Sequence, residues 1–244
     1  MTKFVALLKQ RNVSPKQITI MKNKITSFLL LLLCLALNVS DAIAQQKHEY
    51  VDPGLPSGTL WATTNVGAEN PWDYGDYFAW GETTTKSKYD WSTYKYADGA
   101  DDNLTKYCND PEYNDLCFTD NKTELERSDD AATANWGSDW CMPTRWQLRE
   151  LDDKCTWTWT TDHGIDGYKV TGTNGKLIFL PAAGYRNGTG LHDAGSDGHF
   201  WSSSLNTDYP NCGRGLYFDS GYVNPGLWYY RLCGQSVRAV RCRN

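Results

Sequence analysis

One stretch of this chain carries a complete helix signature, and its isolation limits the fold more than any other feature. Thr144 and Gln147 have the spacing of a capping box, in which each side chain satisfies a free backbone N–H at the helix start. Leu148, Leu151 and Cys155 then fall at i, i+3 and i+7 on one apolar stripe. A shorter helical turn is expected over Asp129–Asn135, with Ser128 or Asp129 as its N-cap. After Cys155 the period changes. Tyr168–Thr171, Leu177–Leu180, Tyr217–Asp219 and Val237–Cys242 are short β-type runs separated by Gly and Asn clusters. Near the start, Tyr50–Val51 and Thr59–Thr63 flank the turn DPGLPSG, which reads as strand, turn, strand. Tyr89–Asn121 is polar and Asp/Asn-rich and reads as loop. Two short helices early and short antiparallel strands late predict an α+β domain with a long loop-rich C-terminal half.

The chain ahead of this domain has a different character. Phe28–Leu37 is a run of ten apolar residues, preceded by Lys22 and Lys24 and followed by the small-x-small triplet Ala42-Ile43-Ala44. This is the pattern of a secretory signal peptide over residues 1–44. The run is short for a bilayer span. Met21 is an alternative start, because MKNKITSFLLLLL already holds a complete basic region. Cys34 lacks the small residues that a lipoprotein cleavage site needs before its cysteine, so release is expected rather than lipidation. The product would be a single domain, 45–244, in the periplasm, at the cell surface or secreted, with no membrane span after cleavage.

Charge and aromatic content narrow its partners. The leader holds six of the 24 basic residues and one of the 29 acidic ones, which leaves 18 against 28 in the mature part. So acidic a body argues against a nucleic-acid partner, since polyanions are captured by basic stripes. All 11 Trp and all 15 Tyr follow residue 44. With that much apolar area to bury, the mature chain is not disordered.

Six motifs carry a family likeness: GLPSGTLWATTNVGA (54–68), DYGDYFAWGE (73–82), DDAATANWGSDWCMPT (129–144), FLPAAGYRNG (179–188), WSSS (201–204) and GQSVRAVR (234–241). In this order they resemble the Fibrobacter succinogenes major paralogous domain, a family of exported proteins abundant in Bacteroidetes. The likeness covers nearly all of 49–242. It implies a C-type-lectin-like fold, related more distantly to formylglycine-generating enzymes. In such a fold the first and last strands pair and a long loop region carries binding. The family has no firmly assigned activity.

Seven cysteines follow the leader, an odd number for an oxidising compartment. The lectin-like fold ties its helix to its final strand, so the resemblance implies a Cys155–Cys242 disulfide. Cys108 with Cys117 would close a small loop, Cys212 with Cys233 would staple the C-terminal region, and Cys141 is left over. Connectivity does not follow from spacing, and unpaired thiols acting as small apolar residues are the alternative.

A search for chemistry finds no enzyme motif. His48, His163, His192 and His199 stand in no H-E-x-x-H or C-x-x-C arrangement. His192 and His199 read as two exposed loop histidines rather than as ligands of a shared ion. The E-P-N, Q-P-D and W-N-D tripeptides of calcium-dependent lectins are absent. Acidic stretches such as Asp98–Asp102 could supply calcium oxygens but read as solvated loop, so no cofactor or metal is assigned. The serines of WSSS lack a G-x-S-x-G elbow and are expected to bond backbone in a turn. No copper-binding cysteine pair of the formylglycine-generating type is placed by motif.

Leu191–Gln235 is the most informative segment. It contains no Lys, Glu or Met but nine aromatics among Gly, Ser, Asn, Asp, His, Cys and Arg. That is a paratope composition: Tyr and Trp supply contact area at low entropy, and small polar residues adapt. Aromatic faces also stack on sugar rings while Asp and Asn bond hydroxyls. Trp201, Tyr217, Phe218 and Trp228 are expected to fill the core. The ligand-binding candidates are His192, Asp193, Asp197, His199, Phe200, Asp208, Tyr209, Arg214, Asp219, Tyr222, Leu227, Tyr229, Tyr230 and Leu232. Lys, Glu and Met codons all need a purine in the third position, whereas the residues at these positions can be written with C there. Adenine-directed mutation of Asn codons by a diversity-generating retroelement yields that set, and some C-type-lectin-like proteins resembling this one are its targets. On that reading Cys212 and Cys233 are products of variation rather than a staple, and both readings stand.

The function expected first is therefore binding or adhesion outside the cell, to a glycan or protein, without catalysis. An enzyme of formylglycine-generating type or a hydrolase comes second, and a structural envelope protein third.

Overall fold

The computed structural model describes residues 26, 48–113 and 117–242. Apart from Thr26, the expected signal peptide, with Met21 and its cleavage site, lies outside them. The chain divides at Gln46/Lys47 into two units, and the domain below belongs to the second. No helix among the described residues is long and apolar enough to cross a membrane.

The domain is α+β, with two α-helices and small antiparallel sheets among the described residues. Helix α1 spans Ala131–Trp136, and Asp130 is its N-cap, one residue later than the sequence suggested. The Asp130 carboxylate accepts the N–H of Thr133 and, at 2.8 Å, the N–H of Met142, so the same side chain starts the helix and holds the chain that follows it. Helix α2, Arg145–Lys154, starts at the Thr144–Gln147 capping box and buries Leu148 and Leu151. Such a cap is worth about 1 kcal/mol.

Strands β1 (Tyr50–Val51), β2 (Trp61–Ala62), β3 (Trp140–Cys141) and β12 (Val240–Arg241) form a sheet in the order β1-β2-β12-β3. The final strand therefore pairs with the second strand, Val240 opposite Trp61, and not with the first as the resemblance implied. Strands β4 (Thr156–Asp162), β5 (Ile165–Thr171) and β6 (Leu177–Pro181) make an antiparallel meander. Strands β7 (Tyr185–Asn187) and β8 (Gly190–His192) form a hairpin. Strands β9 (Gly198–Leu205), β10 (Cys212–Asp219) and β11 (Tyr222–Tyr230) form the third sheet, with β10 central and β11 at one edge. The expected long binding loop of the C-terminal half is thus mostly strand. Its Gly and Asn residues serve turns and close packing. A Cβ on Gly198 would lie 2.0 Å from the Phe218 ring, and one on Gly213 would lie 2.6 Å from the Trp80 indole.

Two buried apolar clusters hold the domain. One gathers Phe78, Trp80, Tyr89, Tyr94, Tyr107, Trp136, Trp140 and Trp201; the other gathers Trp61, Leu148, Leu151, Tyr168, Phe200, Leu216 and Phe218. Two tryptophans join distant segments reciprocally. The Trp201 Nε1–H donates to the Phe78 carbonyl and the Trp80 Nε1–H donates to the Ser202 carbonyl, each at 2.8 Å. Each indole so buries its ring without leaving its polar edge unpaired.

None of the expected disulfides is present among the described residues. Cys108, Cys117, Cys141, Cys155, Cys212, Cys233 and Cys242 are all thiols. Cys242 follows β12 and its N–H donates to the Asp139 carbonyl. This register sets the Cys242 thiol against Cys141 of β3, the cysteine left over by the sequence reading, and not against Cys155 at the end of α2. The Cys108 loop is closed by Asp120, whose carboxylate accepts the N–H groups of Tyr107 and Cys108. Cys108 is buried while Cys117 is exposed. Cys212 and Cys233 are both buried as separate thiols, and burial pushes both up to about 12.

Candidate functional site

Strand alternation sorts the candidates of the C-terminal sheet. Side chains of successive strand residues point to opposite faces. Along edge strand β11, Trp228 and Tyr230 point to solvent, while Tyr229 between them is half-buried. Tyr209, Tyr222, Trp228 and Tyr230 are each 44 to 54 % exposed, so large aromatic surface faces outward. The Tyr209 and Trp228 rings lie 5.4 Å apart at 36°, a tilted pair open to water. Tyr230 is steadied by an edge contact with Trp91 at 5.9 Å.

A polar pair borders the rings. Arg214 sits opposite Trp228 in the β10–β11 ladder. Its guanidinium donates to the Gly226 carbonyl at 3.2 Å and to the Asp208 carboxylate at 3.1 Å. Arg214 is thereby tied to the β10–β11 ladder, with Asp208 exposed at its end. The sequence reading named Asp208, Tyr209, Arg214 and Tyr230 in this group. It missed Trp228, which it had assigned to the core. Only the strand phase, with Trp228 one residue out of step with Tyr229, could have signalled this.

Other candidates lie elsewhere. Tyr222 and Asp219 close the β10–β11 turn, where Asp219 accepts the Gly221 N–H and the Tyr217 hydroxyl. Leu227 is half-buried. Phe200 and Leu232 are buried in the two apolar clusters and are withdrawn as ligand contacts. Phe200 stacks on Phe218 at 5.9 Å because β9 is buried along its whole length. Trp201 and Phe218 fill the core as expected, while Tyr217 is half-buried. The WSSS serines lie in β9 rather than in a turn. Ser202 Oγ donates to the Arg214 carbonyl, and Ser203 and Ser204 each donate to a carboxylate oxygen of Glu124.

His199 also departs from expectation. It is 2 % exposed, not a loop histidine, and it is ringed by Tyr185, Tyr217 and Tyr229 at 4.8 to 5.2 Å. Burial pushes its pKa down to about 4, against the opposing pull of Asp197. Neither ring nitrogen has a hydrogen-bond partner. A ring nitrogen of His199 and carboxylate oxygens of Asp193 and Asp197 all lie within 4.8 Å of one another. Asp193 has φ +56° and heads a tight turn whose N–H groups at Ser196 and Asp197 return to its carbonyl. That turn carries Asp197 and then His199 at the start of β9. His192, in contrast, is exposed on β8 with its ring 5.4 Å from Tyr185.

Comparison with known protein families, curated proteins and solved structures finds no match to this chain.

Proposed function

We propose that this protein acts outside the cell by binding a ligand, and that the exposed aromatic face of β11 with its flanking turn is the binding surface. The observation that carries the reading is the open Tyr209–Trp228 ring pair bordered by the Asp208–Arg214 ion pair. Exposed rings of this size cost solvation free energy that a ligand would recover. A sugar ring stacks its apolar face on such rings while its hydroxyls bond neighbouring carboxylate and guanidinium groups. This favours a carbohydrate over a protein as ligand. No step of catalysis is required.

The C-type-lectin-like likeness adds a scaffold logic. A rigid frame carries a surface whose side chains can change without disturbing it. Asp208, Tyr209, Arg214, Tyr222 and Tyr230 belong to the residue set that adenine-directed diversification produces and also sit at or near the surface. Variation at buried Phe200, Cys212, Leu232 and Cys233 would alter packing instead.

A glycan screen with purified protein tests the proposal. Binding lost in Trp228→Ala and Tyr209→Ala, with unchanged near-ultraviolet circular dichroism apart from the deleted chromophore, is the expected outcome. Glycan binding that both variants retain would reject this surface. Absence of glycan binding together with Trp228-dependent binding of a surface protein would move the ligand class to protein.

A further inference from the structure

We propose that Asp193, Asp197 and His199 form a site for one divalent first-row transition cation with mixed nitrogen and oxygen preference, of which Zn²⁺ is the representative. Three independent features of the site converge. Two carboxylates and one imidazole offer ligand atoms within 4.8 Å of one another. Bonds of about 2.1 Å to nitrogen and oxygen in a tetrahedral shell put two ligands of one ion about 3.4 Å apart, so the shell closes with a shift of about an ångström, within reach of a side-chain rotation. Asp193 is exposed on a turn and is free to supply that shift.

The decisive observation is the imidazole. His199 is 98 % buried, yet both ring nitrogens lack a hydrogen-bond partner. A buried imidazole that bonds nothing is a cost, because its N–H and its lone pair have both left water. Tyr185, Tyr217 and Tyr229 wall the ring without bonding it. A cation held with Asp193 and Asp197 would take up the lone pair of one nitrogen. It would also bring the two carboxylates together by neutralising their charge. The Tyr217 hydroxyl lies 3.3 Å from the Asp197 carboxylate and 3.1 Å from that of Asp219, so its one proton can turn to Asp197 as an outer-shell partner does in metal sites.

Ligand type sets the metal class. Calcium and magnesium favour shells made entirely of oxygen, and a buried nitrogen donor disfavours both. Imidazole with carboxylates suits Zn²⁺, Co²⁺ and their neighbours. The cysteines lie outside the cluster, so a thiolate contributes nothing here. Three protein ligands leave room in the shell for water or an oxygen of a bound molecule.

The test is titration of the full, chelator-stripped protein with Co²⁺ and Zn²⁺, followed by visible spectroscopy and calorimetry. One Co²⁺ per chain is expected, with weak d–d bands, no intense thiolate charge-transfer band, and displacement by Zn²⁺. Asp193→Asn and Asp197→Asn should each weaken binding at least about tenfold. Asp193→Asn keeps the fold, because the side chain is exposed and Asn tolerates a positive φ. Affinity unchanged in Asp193→Asn, strong thiolate absorption, Ca²⁺ binding as tight as Zn²⁺, or no uptake at all would each overturn the assignment.

Discussion

The Nε–H of Arg238 donates to the Asn65 side-chain oxygen at 2.8 Å, joining the end of the domain to its beginning across 173 positions of sequence. The rest of the guanidinium donates to the carbonyls of Ala62, Thr63 and Phe179. Arg238 is 1 % exposed, and it meets neutral acceptors from two segments, 62–65 and Phe179, instead of a carboxylate. Its planar fork suits this role, because five donors leave one side chain in fixed directions.

Arg238→Ala should therefore destabilise strongly. It strands three buried acceptors and a half-buried one, and at about 1–3 kcal/mol for each buried acceptor left unpaired the total loss is about 3 kcal/mol or more. Arg238→Lys should fall between the two, since an ammonium keeps the charge but cannot span the same acceptors. Urea denaturation curves of the three proteins check the order.

Aromatic substitutions should split by face. Trp201→Ala removes a fully buried indole and its bond to the Phe78 carbonyl, at a cost of about 3–5 kcal/mol. Trp228→Ala and Tyr230→Ala remove exposed rings and should change stability by about 1 kcal/mol or less. Equal losses at Trp201 and Trp228 in chemical denaturation would contradict the assigned strand phase.

Acid sensitivity should centre on Asp129. Burial alone would raise this carboxyl, but hydrogen bonds from Lys106, Tyr107 and Tyr96 outweigh it and hold the pKa well below the usual range. A carboxylate with a depressed folded pKa contributes stability that is fully present above the unfolded value of about 3.9 and is lost as pH falls toward the folded one. Stability should thus drop steeply below pH about 4. Asp129→Asn should be less stable than the parent at pH 7 and should show a shallower fall in acid. Melting temperatures recorded across pH 2–7 decide this.

Oxidation should reveal which cysteines meet. Burial, and then the neighbouring Cys242 thiol, raise the Cys141 pKa. The thiolate is scarce at neutral pH, so exchange with glutathione disulfide should be slow and should speed up with rising pH. In that exchange Cys141 and Cys242 give up two protons and two electrons, and the glutathione disulfide is reduced to two thiols. Peptide mapping should find a Cys141–Cys242 link. A Cys155–Cys242 link would show that the β3–β12 register is wrong.

Helix α2 was legible because its signals lie within a few residues of each other. The Thr144–Gln147 cap and the Leu148, Leu151 stripe need no distant partner. The turn between β1 and β2 was legible for the same reason. Strands β9 and β11 were not, because Gly, Ser and Asn in them suggested loop. Gly198 and Gly213 are small for the sake of Phe218 and Trp80, which lie far away in sequence. Trp228 and His199 were misplaced by the same gap in local information, one read as core and the other as loop.

By itself the sequence determined the α+β class, the capped helix and the aromatic wealth of the C-terminal segment, since capping, period and composition are properties of neighbouring residues. Only the tertiary structure decided that Trp228 faces water, that Cys242 meets Cys141, and that His199 is buried beside two aspartates. Exposure and contact depend on which strand covers which face, and that is set by pairings between residues far apart in the chain.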